Sequence, residues 1–423
     1  MNPFKPISIS LSPNTEKDDI LLALKMVFQP NKWKKGKAIK ELENKFKEYF
    51  NTEYAFSFNS GRSSLIAILD ALEIKENDVI FIQAFTCNAA VNPILQKKAK
   101  PIFVDIDETL NLDPKNLEQK IISERNKGKT LKAIMVQHTF GHPAQVDKII
   151  EIAQKNNLIL IEDCAHSLGA KYKGKLCGTF GDISFFSFGR DKIISSVFGG
   201  ITTTNNTNFA KKLAEFQQKI KHPSSYWILQ QLMHPILMNC FILPCYSISG
   251  KYFLFLFQKI KILSKAVYWK EKRGEMPIYF PKQMPNVLAI LALNQFKKLN
   301  RLNEHRRKIS KFYEKNLKEL GKFNLIFKSE QEDREVIFMK YPVLIKDSDY
   351  VIEQAKNENI MLDDGWRKST IVPPDTKREK MEYIEMSCPK AERVAQNILN
   401  LPTHINISIK DAQKIVSFIN NLK

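Results

Sequence analysis

Between Phe46 and about Thr204 the chain alternates short apolar runs with stretches whose apolar residues recur at helical spacing. The runs predict strands at 54–58, 78–83, 100–105, 132–137, 158–163, 183–187 and 200–204, and the clearest helices fall at 63–72 and 147–155. Such alternation is what a mostly parallel sheet with crossover helices on both faces requires, so the expected layer is doubly wound α/β.

Further on, Leu291, Phe296, Leu299 and Leu302 recur at helical spacing above a charged face, which predicts one long connecting helix over 289–320. A strand over 335–345, a helix over 350–357 and a closing amphipathic helix over 407–421 follow. This pattern divides the chain into a large α/β domain, 1–290, and a unit of connecting helix and small α+β domain, 291–423.

One segment breaks the pattern. Between Pro223 and Gly250 there is no Asp, Glu, Lys or Arg, and Tyr252–Phe257 and the basic positions Lys259, Lys261 and Lys265 come next. We read an apolar helical insertion over about 223–275. A single membrane crossing would place the sheet and the connecting helix on opposite sides of a bilayer, although both must build one site. The alternatives are a Pro-broken hairpin lying in one leaflet over 223–263, with Trp227, Tyr252 and Trp269 near the interface, or an enlarged dimer interface or apolar lid.

A length of 423 residues and a hydrophobic fraction of 43% exclude a small stapled scaffold and a disordered chain. The net charge of +20 fits anionic company, or else a Lys-rich composition with no functional cause. Six scattered cysteines without paired metal spacing, apart from the seven histidines, predict reduced thiols and no metal site. With no export signal at 1–19, a cytoplasmic protein is expected, peripheral on the cytoplasmic face of the membrane if the hairpin inserts. No basic patch interleaved with aromatics speaks for nucleic acid.

The chemistry gathers at two strand ends. Leu158-Ile-Leu-Ile-Glu-Asp-Cys-Ala-His166 brings Asp163 to the C-terminal end of a buried strand, where α/β proteins bind ligands. Phe185-Phe-Ser-Phe-Gly-Arg-Asp-Lys192 ends another strand with Ser187 and then Lys192. Pyridoxal 5′-phosphate (PLP) needs an amine for its aldehyde, an acid for its ring nitrogen and donors for its phosphate, and Lys192, Asp163 and Ser187 are those types. Lys192 would also shuttle the proton. Singly, each has an ordinary explanation, a solvated lysine or a helix-capping Asp. Ser60, Gly61 and Arg62 lie at a strand-to-helix turn and form a phosphate cradle, although a plain N-cap explains Ser60 equally well.

In their order along the chain, Asn59-Ser-Gly61, Lys100-Pro-Ile-Phe-Val-Asp105, His138-Thr-Phe-Gly141, Glu162-Asp-Cys-Ala-His166, Phe186-Ser-Phe-Gly-Arg-Asp-Lys192, Gly199-Gly200 and the stretch from Ala391 to His404 resemble the DegT/DnrJ/EryC1/StrS family of PLP-dependent sugar aminotransferases, of fold type I. The resemblance implies that Lys192 carries PLP as a Schiff base, Asp163 pairs with the pyridine nitrogen, His166 contacts the ring oxygen and Ser187 binds phosphate. It implies a homodimer that takes an amino group from glutamate and gives it to a keto sugar on a nucleotide or lipid carrier, for surface polysaccharide or glycolipid synthesis. Lys192 separates this chain from relatives that carry His and dehydrate sugars. A PLP-dependent dehydratase or lyase, and a catalytically silent membrane partner, are the competing readings. Three positions depart from the family pattern: Cys87 stands where an aromatic residue stacks on the cofactor, Pro281-Lys282-Gln283-Met284 replaces Asn-x-Arg-Met, and Arg62 replaces a small residue.

Overall fold

The computed structural model describes residues 4–318, 324–325 and 332–422. Its centre is a seven-stranded sheet. The strands are β1 (Tyr54–Phe58), β2 (Val79–Gln83), β3 (Lys100–Val104), β4 (Leu131–Gln137), β5 (Ile159–Asp163), β6 (Ile183–Ser187) and β7 (Gly200–Thr204), in the order β1-β7-β6-β5-β4-β2-β3. All neighbours run parallel except β7, which is antiparallel to both β6 and β1.

Successive side chains on a strand point to opposite faces, and here both faces are buried. Ile80, Ile82, Ala133 and Met135 join one apolar cluster, while Val79, Phe81, Ile134 and Val136 join another on the opposite face. That is the doubly wound α/β layer expected from the alternating pattern, and it fits the fold type I that the family resemblance implies. The antiparallel β7 has a local consequence: its first residue, Gly200, pairs with Phe58 on one side and Ser187 on the other. The turn leaving β1 and the end of β6 are thereby brought to one edge of the sheet.

Towards the C-terminus, Asn324–Leu325, Lys340–Leu344 and Ile398–Pro402 form a small antiparallel sheet, accompanied by helices Ser348–Asn357, Pro389–Asn397 and Ile409–Asn421. Two short parallel pairings tie it to the rest of the chain: Ile7–Ser8 with Ile360–Met361, and Ile371–Val372 with Thr86–Cys87.

Two expected elements are divided. The helix expected over 289–320 is two helices, Asn286–Phe296 and Leu299–Lys318, with 319–320 outside the described residues. The first is apolar on nearly every side and buried, the second amphipathic, so one straight axis does not serve both. The break also brings Lys298 Nζ to Asp18 and Asp19, each at 2.9 Å, and to Glu16 at 3.1 Å. The strand expected over 335–345 is interrupted because Ile337 N–H donates to Gly141 O (3.2 Å) and Met339 N–H to Phe140 O (2.8 Å), clipping the chain onto the turn beside the site.

The apolar insertion is a hairpin. Helix Ser225–Leu237 runs through irregular helical turns and comes back as Lys251–Lys259. The run Ser225–Lys259 has the length and composition to cross a membrane, with only 17% of its most apolar window buried. A straight helix of that length would extend about 50 Å. Instead, Tyr226 Oη donates to Lys261 O at 2.8 Å, so the end of the insertion lies against its start. Gly250 permits the bend, since a Cβ there would collide with the Ile242 carbonyl.

On Lys251–Lys259, Leu254, Phe257 and Gln258 are half-buried, whereas Tyr252, Phe253, Phe255 and Leu256 are exposed. Trp269 is exposed as expected for an interfacial residue, but Trp227 is not: it is buried among Phe198 and Tyr279. It faces inward because it is anchored in the aromatic layer behind β7 rather than on the outer side of the hairpin.

Candidate active site

One cavity of about 500 Å³ opens at the sheet edge defined by Gly200, and Lys192, Asp163, His166, Ser187, Ser60, Gly61 and Arg62 all line it. That volume suits a cofactor with a small substrate.

Asp163 ends β5 and is buried, with Oδ1 accepting the Ala165 N–H at 2.9 Å. Burial raises its carboxyl to about 6, against the opposing pull of that N–H and of Lys192. His166 is buried three residues on; its ring lies parallel to Phe140 (5.8 Å, 7°), and Nδ1 accepts the Phe140 N–H at 3.4 Å. Burial, then Lys192 and Lys340, holds this imidazole well below its usual pKa, so the ring is neutral with its proton on Nε2.

Lys192 lies in the turn after β6, where its N–H donates to Gly189 O at 3.2 Å. The turn is held from behind. The Asn14 amide donates to Lys192 O, and the buried Arg306 guanidinium donates to Asn14 Oδ1 (2.7 Å) and Ile193 O (2.8 Å). Sequence reasoning missed Asn14 and Arg306, because one is near the N-terminus and the other inside a helix that looks ordinarily charged.

At the helix start the two readings of Ser60 resolve. Ser60 is the N-cap of Gly61–Ala71: its Oγ accepts the Ser63 N–H at 3.0 Å. The hydroxyl is used by the cap, and what faces the cavity is the first-turn backbone, whose N–H groups have no intrahelical acceptor. Gly61 is needed there, since a Cβ would sit 2.9 Å from Ser187 Cβ. Gly200 is needed as well, since its Cβ would sit 2.6 Å from Ser60 O and Gly61 N.

Arg62 corrects an expectation. Its guanidinium does not belong to the cradle: Nε lies 2.5 Å from Glu271 Oε1, another guanidinium nitrogen donates to Ala266 O (3.2 Å), and the group lies over Phe280. A buried carboxylate from the last part of the insertion claims the charge, and Arg62 contributes backbone only.

Cys87 caps helix Asn88–Gln96, accepting the Ala89 N–H at Sγ, and burial pushes its thiol up, so it offers neither a ring nor a thiolate. Trp366 lines the cavity, as do Phe185 and Phe198, and is packed edge-on to Phe85, Phe140 and His166. A lone Trp after Asp363-Asp364-Gly365 was the sequence signal. Gln283 donates to Gln217 O and Ile220 O, both at 2.9 Å, so the 281–284 stretch is stitched to its own chain.

His138 lies close to Cys164 and Glu162, contrary to the expected separation of histidines from cysteines. The Glu162 carboxylate is already satisfied by His138 and by the N–H groups of Gly178, Phe180 and Gly181. This group supports the strand ends.

The site therefore presents a glycine-lined helix start, a buried carboxylate with a raised pKa, a neutral imidazole and an amine around one cavity. The profile of the DegT/DnrJ/EryC1/StrS aminotransferase family matches residues 14–228 and 256–420. The chain belongs to that family. Its cofactor is PLP, and the residues present fit it: Asp163 is a buried carboxylate in need of a cation, and Gly61, with no Cβ, lets the helix start pack against Ser187 so that both line the cavity with Lys192.

The GDP-perosamine synthase of Escherichia coli O157:H7 is 41% identical over 195 residues, 46% of this chain and 52% of that protein. The chain thus matches about half the length of that relative. The GDP-perosamine synthase of Caulobacter vibrioides is 28% identical over 92% of this chain and 90% of its own length. In fold, the chain is similar to Helicobacter pylori PseC, an aminotransferase involved in the biosynthesis of pseudoaminic acid, with TM-score 0.73, 19% identity and 98% of both chains covered.

Proposed function

We propose that this protein is a PLP-dependent aminotransferase that moves an amino group, from glutamate, onto a keto sugar held on a diphosphate carrier, in the synthesis of a surface polysaccharide or glycolipid. The observation that carries this reading is the meeting of Lys192 and Asp163 in one cavity with the helix start at Gly61. Named relatives that make GDP-perosamine supply the sugar class.

PLP, when bound, supplies an electron sink next to the substrate's amine-bearing carbon. Lys192 Nζ would anchor its aldehyde carbon and, as a free amine, would take the proton from the substrate's Cα. Asp163 would keep the ring nitrogen protonated, and a pyridinium would in turn restore its carboxylate. The neutral His166 has an Nε2–H to donate to the ring oxygen. Ser187 and the N–H groups of Gly61 and Arg62 would hold the phosphate. Lys192 in place of a histidine favours transamination over dehydration.

We also read the insertion as a membrane contact of a cytoplasmic homodimer. The exposed Tyr252, Phe253, Phe255 and Leu256, beside Lys251, Lys259 and Lys261, have the chemistry of an interfacial helix on an anionic leaflet. Incubation with candidate keto sugars and nitrogen-15 glutamate tests the reaction: label in an amino sugar supports it, and no labelled product with any nucleotide- or lipid-linked keto sugar contradicts it.

A further inference from the structure

The wall of the cavity that the insertion supplies holds unused hydrogen-bonding capacity. His234, on helix Ser225–Leu237, lines the cavity at 6% exposure, and neither of its ring nitrogens has a partner among the described residues. Next to it, Arg190 donates to Ser264 Oγ and lies 5.4 Å over the Phe198 ring, but its buried Nε is unpartnered. No carboxylate among the described residues lies within ion-pair distance of Arg190. The acidic groups near it are engaged: Asp364 is 3.0 Å and Asp191 3.7 Å from Lys340 Nζ, and Glu271 is held by Arg62. Lys265 adds a further cation to the same wall.

A half-buried guanidinium with an enclosed, unpartnered Nε and no counter-charge within ion-pair distance, beside a buried imidazole without partners, is costly unless an anion completes it. We infer that Arg190 and His234 form a subsite for the phosphate groups of the sugar's diphosphate carrier, a proposal that rests on the sugar aminotransferase reading. The guanidinium fork matches two phosphate oxygens, and the imidazole donates to a third. The cofactor's phosphate has its own cradle at Gly61 and Ser187. Residues 229–255 lie outside the family match, so His234 belongs to what this chain adds to its family. The addition faces the cavity with Leu254 and the outside with Phe255 and Leu256, which continues the subsite towards an apolar surface suited to a lipid tail.

The test is calorimetric titration of the PLP-loaded protein with inorganic pyrophosphate, GDP, farnesyl diphosphate and glutarate. Pyrophosphate binding that falls about tenfold in Arg190→Gln and in His234→Phe, with the visible cofactor band and melting temperature retained, is the expected result. Tighter binding of farnesyl diphosphate than GDP assigns a lipid carrier to the subsite, and the reverse order a nucleotide; either order supports it. No pyrophosphate binding by the wild-type protein at millimolar concentration overturns the inference. So does binding unchanged in both variants, or a loss confined to glutarate, which would make this the donor's carboxylate site. If His234→Phe misfolds, His234→Gln, which keeps one donor, is expected to bind within about threefold of wild type, and a loss as large as that of Arg190→Gln counts against a hydrogen-bonding role. A missing cofactor band in the wild-type protein would instead sink the aminotransferase reading.

Discussion

Arg62 Nε stands 2.5 Å from Glu271 Oε1, with the two side chains 12% and 1% exposed, so the first turn of helix Gly61–Ala71 is tied to the last part of the insertion. Removing one member of such a pair strands the other charge in a low-dielectric site. Glu271→Gln is expected to lower stability by about 3–5 kcal/mol in denaturant unfolding, and the double variant Arg62→Met, Glu271→Met to recover most of it. A cost in the double variant equal to the sum of the single costs would show that the pair is not coupled.

The raised carboxyl of Asp163 gives a pH dependence of definite sign. Its pKa rises from 3.8 to about 6 in the cofactor-free fold, so the folded state holds the proton more tightly than the unfolded chain. Stability from this group is present below pH 4 and is lost as pH rises to 6. Roughly two units correspond to about 3 kcal/mol. Relative to Asp163→Asn, the cofactor-free wild type is expected to lose about that much between pH 4 and 7, and PLP binding to abolish the difference. Chemical denaturation at both pH values, with and without PLP, measures it.

Gly200→Ala tests the cradle through backbone alone. Its Cβ would lie 2.6 Å from Ser60 O and Gly61 N, two backbone atoms that yield only if the helix start shifts. PLP affinity is expected to fall at least about tenfold while the internal order of the sheet is kept, as read by cofactor absorbance and far-ultraviolet circular dichroism. Unchanged affinity would separate this turn from the phosphate.

Much of this arrangement was legible before any coordinates, and the misses share a cause. Strands buried on both faces read as short apolar runs, so β1, β6 and β7 fall where the sequence places them, and the order of strand-end motifs reveals Asp163, Ser187 and Lys192. Long-range partners leave no local trace: nothing around Arg62 announces Glu271, and nothing around Lys192 announces Asn14 or Arg306. The division of the 289–320 helix was hidden for a similar reason. A helical period continues across Lys297 and Lys298, while the ion pairs from Lys298 to Glu16, Asp18 and Asp19 belong to tertiary structure.

The exposed face of Lys251–Lys259 predicts partition onto anionic vesicles that weakens with salt. Replacing Phe255, 69% exposed, and Tyr252, 65% exposed, by Ser is expected to reduce partition about tenfold or more without changing the melting temperature, because neither side chain is packed in the fold. Cosedimentation with phosphatidylglycerol vesicles reports it, and equal binding by the variant would assign the face elsewhere.

The central claim concerns the amine at position 192 and is best tested by the visible spectrum of the purified protein with PLP, compared with Lys192→Ala after borohydride reduction and peptide mapping. A cofactor band that reduction fixes to Lys192, and that the variant lacks while still folding, is the predicted result. A band retained in Lys192→Ala, or cofactor fixed to a different lysine, would contradict the account.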